Sequence, residues 1–382
     1  MLKTYAQGFP LKDPESIILI ADHFVCSPDK KVRRLLKMQE NFAKKHKTVF
    51  YKNKASQAQG ICHTLMMESH LLPGQLAAGT DSHSSMWGAL GALAIPVGAT
   101  AMANAFLTKE ILLTVPETIK IGFVGELAKN CSARDVILYL MTFLPLSKVM
   151  GKIIEYDIKK LNWPVDELSV LTNQAKEMGA LSAIMTPNKK VIDYLCKQRK
   201  LTKKQIEKLI IKSDTKAVYA GDFLIDLNKV KAMVALPGDP KNTVNLEDLK
   251  KRPKIDKAFI GSCVGGKWED LQTAAKILKG KKVAKGVKLI IQPASKKIIK
   301  KMKEKRLDLI FKKAGAEIIP SNCGGCIGQG LARVEKKEIG IFTSTRNYQG
   351  RSGPGQVYLA SPQTVAASAI AGRICFWKEA KQ

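Results

Sequence analysis

Aromatic residues are scarce in this 382-residue chain, 6% in all, and histidine occurs only five times. The basic clusters therefore hold few of the rings on which nucleic-acid bases stack. Eight cysteines are too few for a disulfide-built scaffold of this length. The N-terminal residues 1–16 are mixed and polar, without the apolar core of a secretory signal. The longest apolar run, residues 136–146, falls well short of the ~20 residues that cross a bilayer. No internal repeat is present, and the Gly-x-Gly-x-x-Gly fingerprint of dinucleotide sites is missing. These absences leave a soluble protein of a reducing cytoplasm, where clustered thiols signal metal more often than disulfide.

Hydrophobic content of 45% and charged content of 25% are ordinary for a globular chain with two or three domains. The net charge of +30 is not. It is carried mainly by lysine in dispersed clusters at 30–37, 197–208, 250–257, 279–288 and 296–305. Dispersal favours solvated faces over one nucleic-acid surface, and the positive field would also draw anionic carboxylate substrates.

Two loops carry the thiols that matter. Residues 257–260 read as a strand that breaks into Gly261-Ser262-Cys263-Val264-Gly265-Gly266. Residues 316–319 read as another, breaking into Pro320-Ser321-Asn322-Cys323-Gly324-Gly325-Cys326. Such strand-to-loop corners of an α/β sheet are where ligands gather. Three thiolates there point to a metal, with a zinc site or a redox pair as competing readings. No fourth Cys or His accompanies the motif nearby, as a closed zinc site would need. The other five, Cys26, Cys62, Cys131, Cys196 and Cys375, read as small apolar residues.

Elsewhere an apolar run of buried-strand length at 16–21 ends in Asp22-His23, a titratable pair at a strand exit. A helix is expected at 28–45 and a strand at 48–51. Cys62-His63 and then Asp81-Ser82-His83 follow on loops, and the small residues between 86 and 108 suit close packing or backbone approach to a buried site. A strand is expected at 116–125, then a helix at 136–143 with Ser132 as its cap, and a strand at 152–156. A helix at 167–178 would place Asn173 and Glu177 on one face, four residues apart. The polar stretch 189–212 reads as helical. From 257 onward strands (257–260, 287–292, 316–319, 340–344) alternate with helices (269–278, 296–305, 362–372), the pattern of a doubly wound α/β domain. Arg346 and Arg351 read either as a carboxylate clamp or as a salt-bridged surface loop. The expected units are 1–117, 118–228 and 229–382.

In order along the chain, Asp22-His23, Gly60-Ile61-Cys62-His63, the stretch 79–94, 171–180, 260–284, Asn322-Cys323-Gly324-Gly325-Cys326, 343–353 and 358–372 resemble the aconitase family. Within it they are most similar to the large subunits of isopropylmalate dehydratases. The resemblance implies α/β/α three-layer domains and one [4Fe–4S] cluster per chain held by Cys263, Cys323 and Cys326. One iron would stay open as a Lewis acid for a substrate hydroxyl and carboxylate. Asp22 and His23 would protonate the departing hydroxyl, with His63, Asp81, Ser82 and His83 lining the site. Glu177 would partner a histidine or solvent on the iron, and Asn173, Arg346 and Arg351 would bind substrate. Three of the five histidines, His23, His63 and His83, fall on these positions.

The implied activity is reversible dehydration that interconverts 2- and 3-isopropylmalate, as in leucine biosynthesis, in a heterodimer with a small subunit. Homoaconitase, aconitase-like and dimethylmalate hydratase large subunits are alternatives, as is an inactive or cluster-sensing RNA-binding paralogue. Four departures stand out. The first domain is expected to be truncated, since Asp22 arrives early; the swivel domain would be supplied by the small subunit. Val264-Gly265 replaces Thr-Asn, Thr345 replaces an asparagine, and Leu168 stands where an arginine is expected.

Overall fold

The apolar run before Asp22 forms a three-residue strand, Ile18–Ile20, paired in parallel with Val49–Tyr51. The computed structural model describes residues 9–25, 27–52 and 59–380; Cys26 and the start of the polar N-terminal segment lie outside them. Ile18–Ile20 is only half-buried, against the expectation of a fully buried strand. Among the described residues its sheet has two strands. The helix that follows, Lys30–His46, is capped by Asp29, whose carboxylate accepts the Lys31 amide.

The larger sheets lie further along. A four-stranded parallel sheet runs in the order Ser182–Met185, Ile153–Asp157, Thr118–Val124, Gly221–Asp226. Thr118–Val124 alternates, burying Ile119, Ile121 and Phe123. The helix Ala133–Phe143 opens with a reciprocal cap between Ser132 and Asp135.

A seven-stranded sheet has the order Thr243–Asn245, Met233–Ala235, Gln356–Ala360, Ile339–Phe342, Lys257–Ile260, Lys288–Ile291, Glu317–Ile318. Its last five strands are parallel, while Met233–Ala235 pairs antiparallel on both sides. Three of the parallel strands end in the loops of interest: Lys257–Ile260 leads to Cys263, Glu317–Ile318 to Cys323, and Ile339–Phe342 to Arg346. The helix Val165–Gln174 is buried from Leu168 to Gln174 and packs against the Ser84–Leu90 turn. The same turn packs on the strand Ser182–Met185, and that contact needs Gly88, where a Cβ would lie 1.8 Å from the Ala183 carbonyl oxygen.

The helix ends at Gln174, so Glu177 is not on it. The chain continues in turns, the Glu177 amide donating to the Gln174 carbonyl, and Asn173 and Glu177 do not share a helix face as expected. The turns lead to Gly179, at φ 93°.

Candidate active site

The strand Lys257–Ile260 passes through extended Gly261 into Ser262, whose φ of 68° is left-handed, and this corner delivers Cys263. On the other loop Asn322 Oδ1 accepts the Gly324 amide at 2.7 Å, and the Cys326 amide donates to the Cys323 carbonyl at 3.1 Å. The Cys323 amide donates to the Asp22 carbonyl at 3.0 Å, tying this loop to the exit of the first strand. All three thiols are buried and free. Each has one polar neighbour: Asn173 Nδ2 at 3.3 Å from Cys263 Sγ, Asp22 Oδ2 at 3.4 Å from Cys323 Sγ, and Thr345 Oγ1 at 3.5 Å from Cys326 Sγ.

This donor set fits an iron–sulfur cluster. Burial, then Cys326 and Asp81, push the Cys263 thiol up to about 12. Burial, then Asp22 and the neighbouring Cys62, Cys263 and Cys326, push the Cys323 thiol well up. Among the described residues, the potential ligand groups gathered within 4.8 Å are Asp22–His23–Cys323 and His63–Asp81–His83. The three thiols are not gathered that closely, whereas one tetrahedral ion with Zn–S bonds of about 2.3 Å would hold them about 3.8 Å apart. Soft donors, buried but spread apart, suit a cluster better than a single ion.

Beside the thiols runs a network of carboxylates and imidazoles. His23 Nδ1 lies 2.8 Å from Asp22 Oδ1, and Asp22 Oδ2 accepts the Cys62 amide at 2.7 Å. His23 Nε2 lies 3.6 Å from Asp81 Oδ2, and Asp81 Oδ1 lies 3.0 Å from His63 Nε2. Asp81 Oδ1 also accepts the His83 amide at 2.7 Å. His83 Nε2 is 2.9 Å from Glu177 Oε1, which accepts Arg346 Nε at 2.7 Å. Arg346 Nη2 then donates to Ser82 Oγ at 3.1 Å.

The charges in this network are set by its pairs. Burial works against the His23 imidazolium, but Asp22 and then Asp81 outweigh it, raising His23 to about 9. Burial also opposes ionised Asp81, yet His63 and His83 together hold it far below the usual carboxylate range. Glu177 is likewise kept low against burial, by His83 and then Arg346. The site therefore presents ionised carboxylates beside a histidine that carries its proton at neutral pH.

The structure brings Asp22, His23, His63, Asp81, Ser82, His83, Glu177 and Arg346 into this one network, with Asn173 on Cys263. Glu177 is 5% exposed, not the solvent-facing carboxylate that is commoner on a helix. Arg351 is half-buried and its Nε has no hydrogen-bond partner. Three participants escaped the sequence reading. Arg134, 1% exposed, donates from Nη1 to Gln174 Oε1 at 3.0 Å and from Nη2 to the Ser344 carbonyl at 2.7 Å. Gln174 in turn donates to Asn173 Oδ1 at 3.1 Å, and the Tyr348 hydroxyl donates to Glu177 Oε2 at 3.3 Å. An arginine at the head of the apolar helix Ala133–Phe143 was the available signal for Arg134.

The departures are packed. Leu168 is fully buried. At Gly265 a Cβ would lie 2.1 Å from Thr343 Oγ1, so Thr343 occupies the space that an asparagine would need. Thr345 keeps a polar atom beside Cys326.

A model of the aconitase family (aconitate hydratase) matches residues 20–372. The chain is 40% identical to 3-isopropylmalate dehydratase large subunit 1 of Pyrococcus furiosus over 95% of this chain and 85% of that protein. It is 38% identical to the 3-isopropylmalate dehydratase large subunit of a Hydrogenobaculum species, covering 96% and 85%. Identity to the methanogen homoaconitase large subunit of Methanocaldococcus jannaschii is 37%, covering 95% and 87%. The chain belongs to the aconitase family of iron–sulfur hydro-lyases.

Proposed function

We propose that this chain is the large subunit of a 3-isopropylmalate dehydratase, with one [4Fe–4S] cluster on Cys263, Cys323 and Cys326. The observation that carries the reading is the unbroken path from His23 through Asp81, His83 and Glu177 to Arg346, set beside three buried thiols. When bound, such a cluster supplies a Lewis acid for the substrate's hydroxyl and carboxylate.

The chain's own residues do the rest. His23, held protonated by Asp22, gives a proton to the departing hydroxyl, which leaves as water. Asp81, ionised and shared by His63 and His83, fixes those imidazoles in place. Arg346 keeps two guanidinium nitrogens on Glu177 and Ser82 and offers the remaining one to a substrate carboxylate. Arg351, with an unpartnered Nε, is the second carboxylate contact. Asn173 orients Cys263 and borders the substrate space. The base that removes the proton beside the carboxylate is assigned to a small subunit, since the relatives are named large subunits.

Among the described residues no helix is long and apolar enough to cross a membrane, and the described cysteines are all free thiols. Both support a place in the cytoplasm. Similarity to a homoaconitase large subunit supports a second reading, with a tricarboxylate substrate.

The test is anaerobic reconstitution with ferrous iron and sulfide, then co-expression with a candidate small subunit and assay on 2- and 3-isopropylmalate and on homoaconitate. About four irons per chain and turnover of isopropylmalate only with the partner are expected. Failure to bind iron would remove the cluster; turnover of homoaconitate alone would favour the second reading. Cys326→Ser should abolish the cluster's visible absorbance, and an unchanged spectrum would sink the ligand assignment.

A further inference from the structure

Between the helix Cys62–Ser69 and the helices Val165–Gln174, Lys189–Arg199, Trp268–Leu278 and Lys296–Glu304 lies a cavity of about 280 Å³. None of the residues of the network described above lines it. Three of the helices meet it with their first turns. Val165 and Asp166 line it from one, Trp268 and Glu269 from the next, Lys297 and Ile298 from the third. Helix N-termini carry partial positive charge, although the Glu269 and Ile298 amides already donate to Asp166 Oδ2 and Ser295 Oγ.

Lysines reinforce that polarity from rim to floor. Lys190 and Lys197 stand seven residues apart on one helix, and Lys297 and Lys301 four apart on another; all four line the cavity. Lys190, Lys197 and Lys297 are exposed, forming a rim, and Lys301 is half-buried over the Trp268 ring at 3.9 Å. Lys267 forms the floor: it is 2% exposed, and its Nζ has no hydrogen-bond partner. A buried ammonium without a partner is costly unless something supplies one.

Three carboxylates share the lining, Glu68, Asp166 and Glu269. Glu68 Oε1 already accepts the Ser295 hydroxyl at 2.7 Å, and Asp166 Oδ2 accepts the Glu269 amide at 3.1 Å. The lining carries five ammonium groups against three carboxylates, and Glu167 and Asp270, outside the lining, face Lys267 from behind. At about 280 Å³ the cavity lies just below the range of most ligand pockets, roughly 300–1,000 Å³. It is sized for a metabolite, not for a polymer.

We propose that this cavity is a binding site for a small phosphate-bearing anion, held by the Lys190, Lys197, Lys297 and Lys301 rim, the Lys267 floor and the three helix N-termini. Occupancy would touch the same helices that carry His63 and Asn173, and Met86 of the lining already contacts Asn173 Nδ2 at 3.4 Å.

The probe is inorganic pyrophosphate, titrated calorimetrically into the cluster-loaded full chain. One site with Kd below about 1 mM is expected. Lys197→Ala/Lys297→Ala, two exposed rim positions, should weaken it at least tenfold, and Lys267→Met should abolish it. If Lys267→Met fails to fold, the rim pair still decides. Lys300→Ala, exposed on the same helix but outside the lining, should bind as the parent does. Absence of saturable binding overturns the proposal, as does equal affinity in the rim variant. Loss through Arg346→Gln with the rim variant unaffected would assign the anion to the active site instead. Binding of single-stranded RNA without binding of pyrophosphate would likewise overturn it.

Discussion

Arg134 links the helix end bearing Asn173 to the strand end bearing Arg346, and it does so from full burial. Replacing it with leucine leaves the Gln174 amide oxygen and the Ser344 carbonyl without a donor, at about 1–3 kcal/mol for each orphaned group. Arg134→Leu should therefore lower the unfolding free energy by about 3 kcal/mol, read as a lower urea midpoint at constant slope. A midpoint equal to the parent's would mean that the guanidinium contributes no net stability. At Glu177 the prediction concerns turnover. Its ionised carboxylate accepts from His83 and Arg346 on one oxygen and from Tyr348 on the other. In Glu177→Gln the amide nitrogen cannot accept, so one side of the network opens. With a small subunit present, kcat should fall about 100-fold or more while the unfolding free energy in urea stays within about 1 kcal/mol of the parent's. Unchanged kcat would place Glu177 outside the chemistry. The sequence reveals His23, His63 and His83 because histidine is rare and each sits beside a polar partner. It conceals Arg134, whose neighbours Ser132 and Asp135 read as an ordinary helix cap.

Among elements, the parallel strands after residue 257 are legible as short apolar runs, and Lys257–Ile260 and Lys288–Ile291 are each followed by a helix of 3.6-residue period. Lys257–Ile260 lies where the sequence places it, Lys288–Ile291 lies within the expected 287–292, and Ile339–Phe342 starts one residue before and ends two before the expected 340–344. Leu76–Gly79, Ser182–Met185 and Gln356–Ala360 are no shorter, but small or polar residues such as Ala77, Gly79, Ser182 and Gln356 dilute the apolar run, and their pairing comes from tertiary contacts. The end of the Val165–Gln174 helix was hidden for a related reason: residues 175–178 keep helix-forming side chains, and turns form instead. The corner at Cys263 offers a sharper test. Gly265 has Thr343 Oγ1 and Cβ at 2.1 and 2.2 Å from where its own Cβ would stand, and Thr343 is pinned by the Gly261 amide and carbonyl. Gly265→Ala must push these two strand ends apart. It should cost about 2 kcal/mol or more and lower cluster retention, measured as iron per chain after gel filtration. In Gly265→Ala/Thr343→Ser a methyl is removed but the clashing Oγ stays, so rescue should be partial at best. Wild-type stability in the single variant would show that the corner is looser than its packing implies.

At the scale of the whole molecule, stability over pH is set by two opposed charge effects. The net charge of +30 grows as acid protonates carboxylates, and self-repulsion then works against the compact state. Buried carboxyls work the other way. Burial pushes Glu68 up to about 7, Asp135 to about 6 and Asp270 to about 8, so each resists ionisation inside the fold. For Glu68 the folded value lies above its ordinary 4.5. Its contribution to stability is then fully present below about pH 4.5 and is lost as pH rises through about 7. The full loss is bounded by the shift, up to about 3 kcal/mol at 1.36 kcal/mol per pH unit. Glu68→Gln keeps an acceptor for the Ser295 hydroxyl and removes the titration. Urea unfolding of parent and variant at steps between pH 4.5 and 8 isolates this one group, because every other titration cancels in the difference. The difference should move in favour of the glutamine variant as pH rises, by as much as about 3 kcal/mol across the range. A flat difference would mean that the Glu68 carboxyl ionises in the fold as it does in the unfolded chain, with the lysines around its cavity offsetting its burial in full.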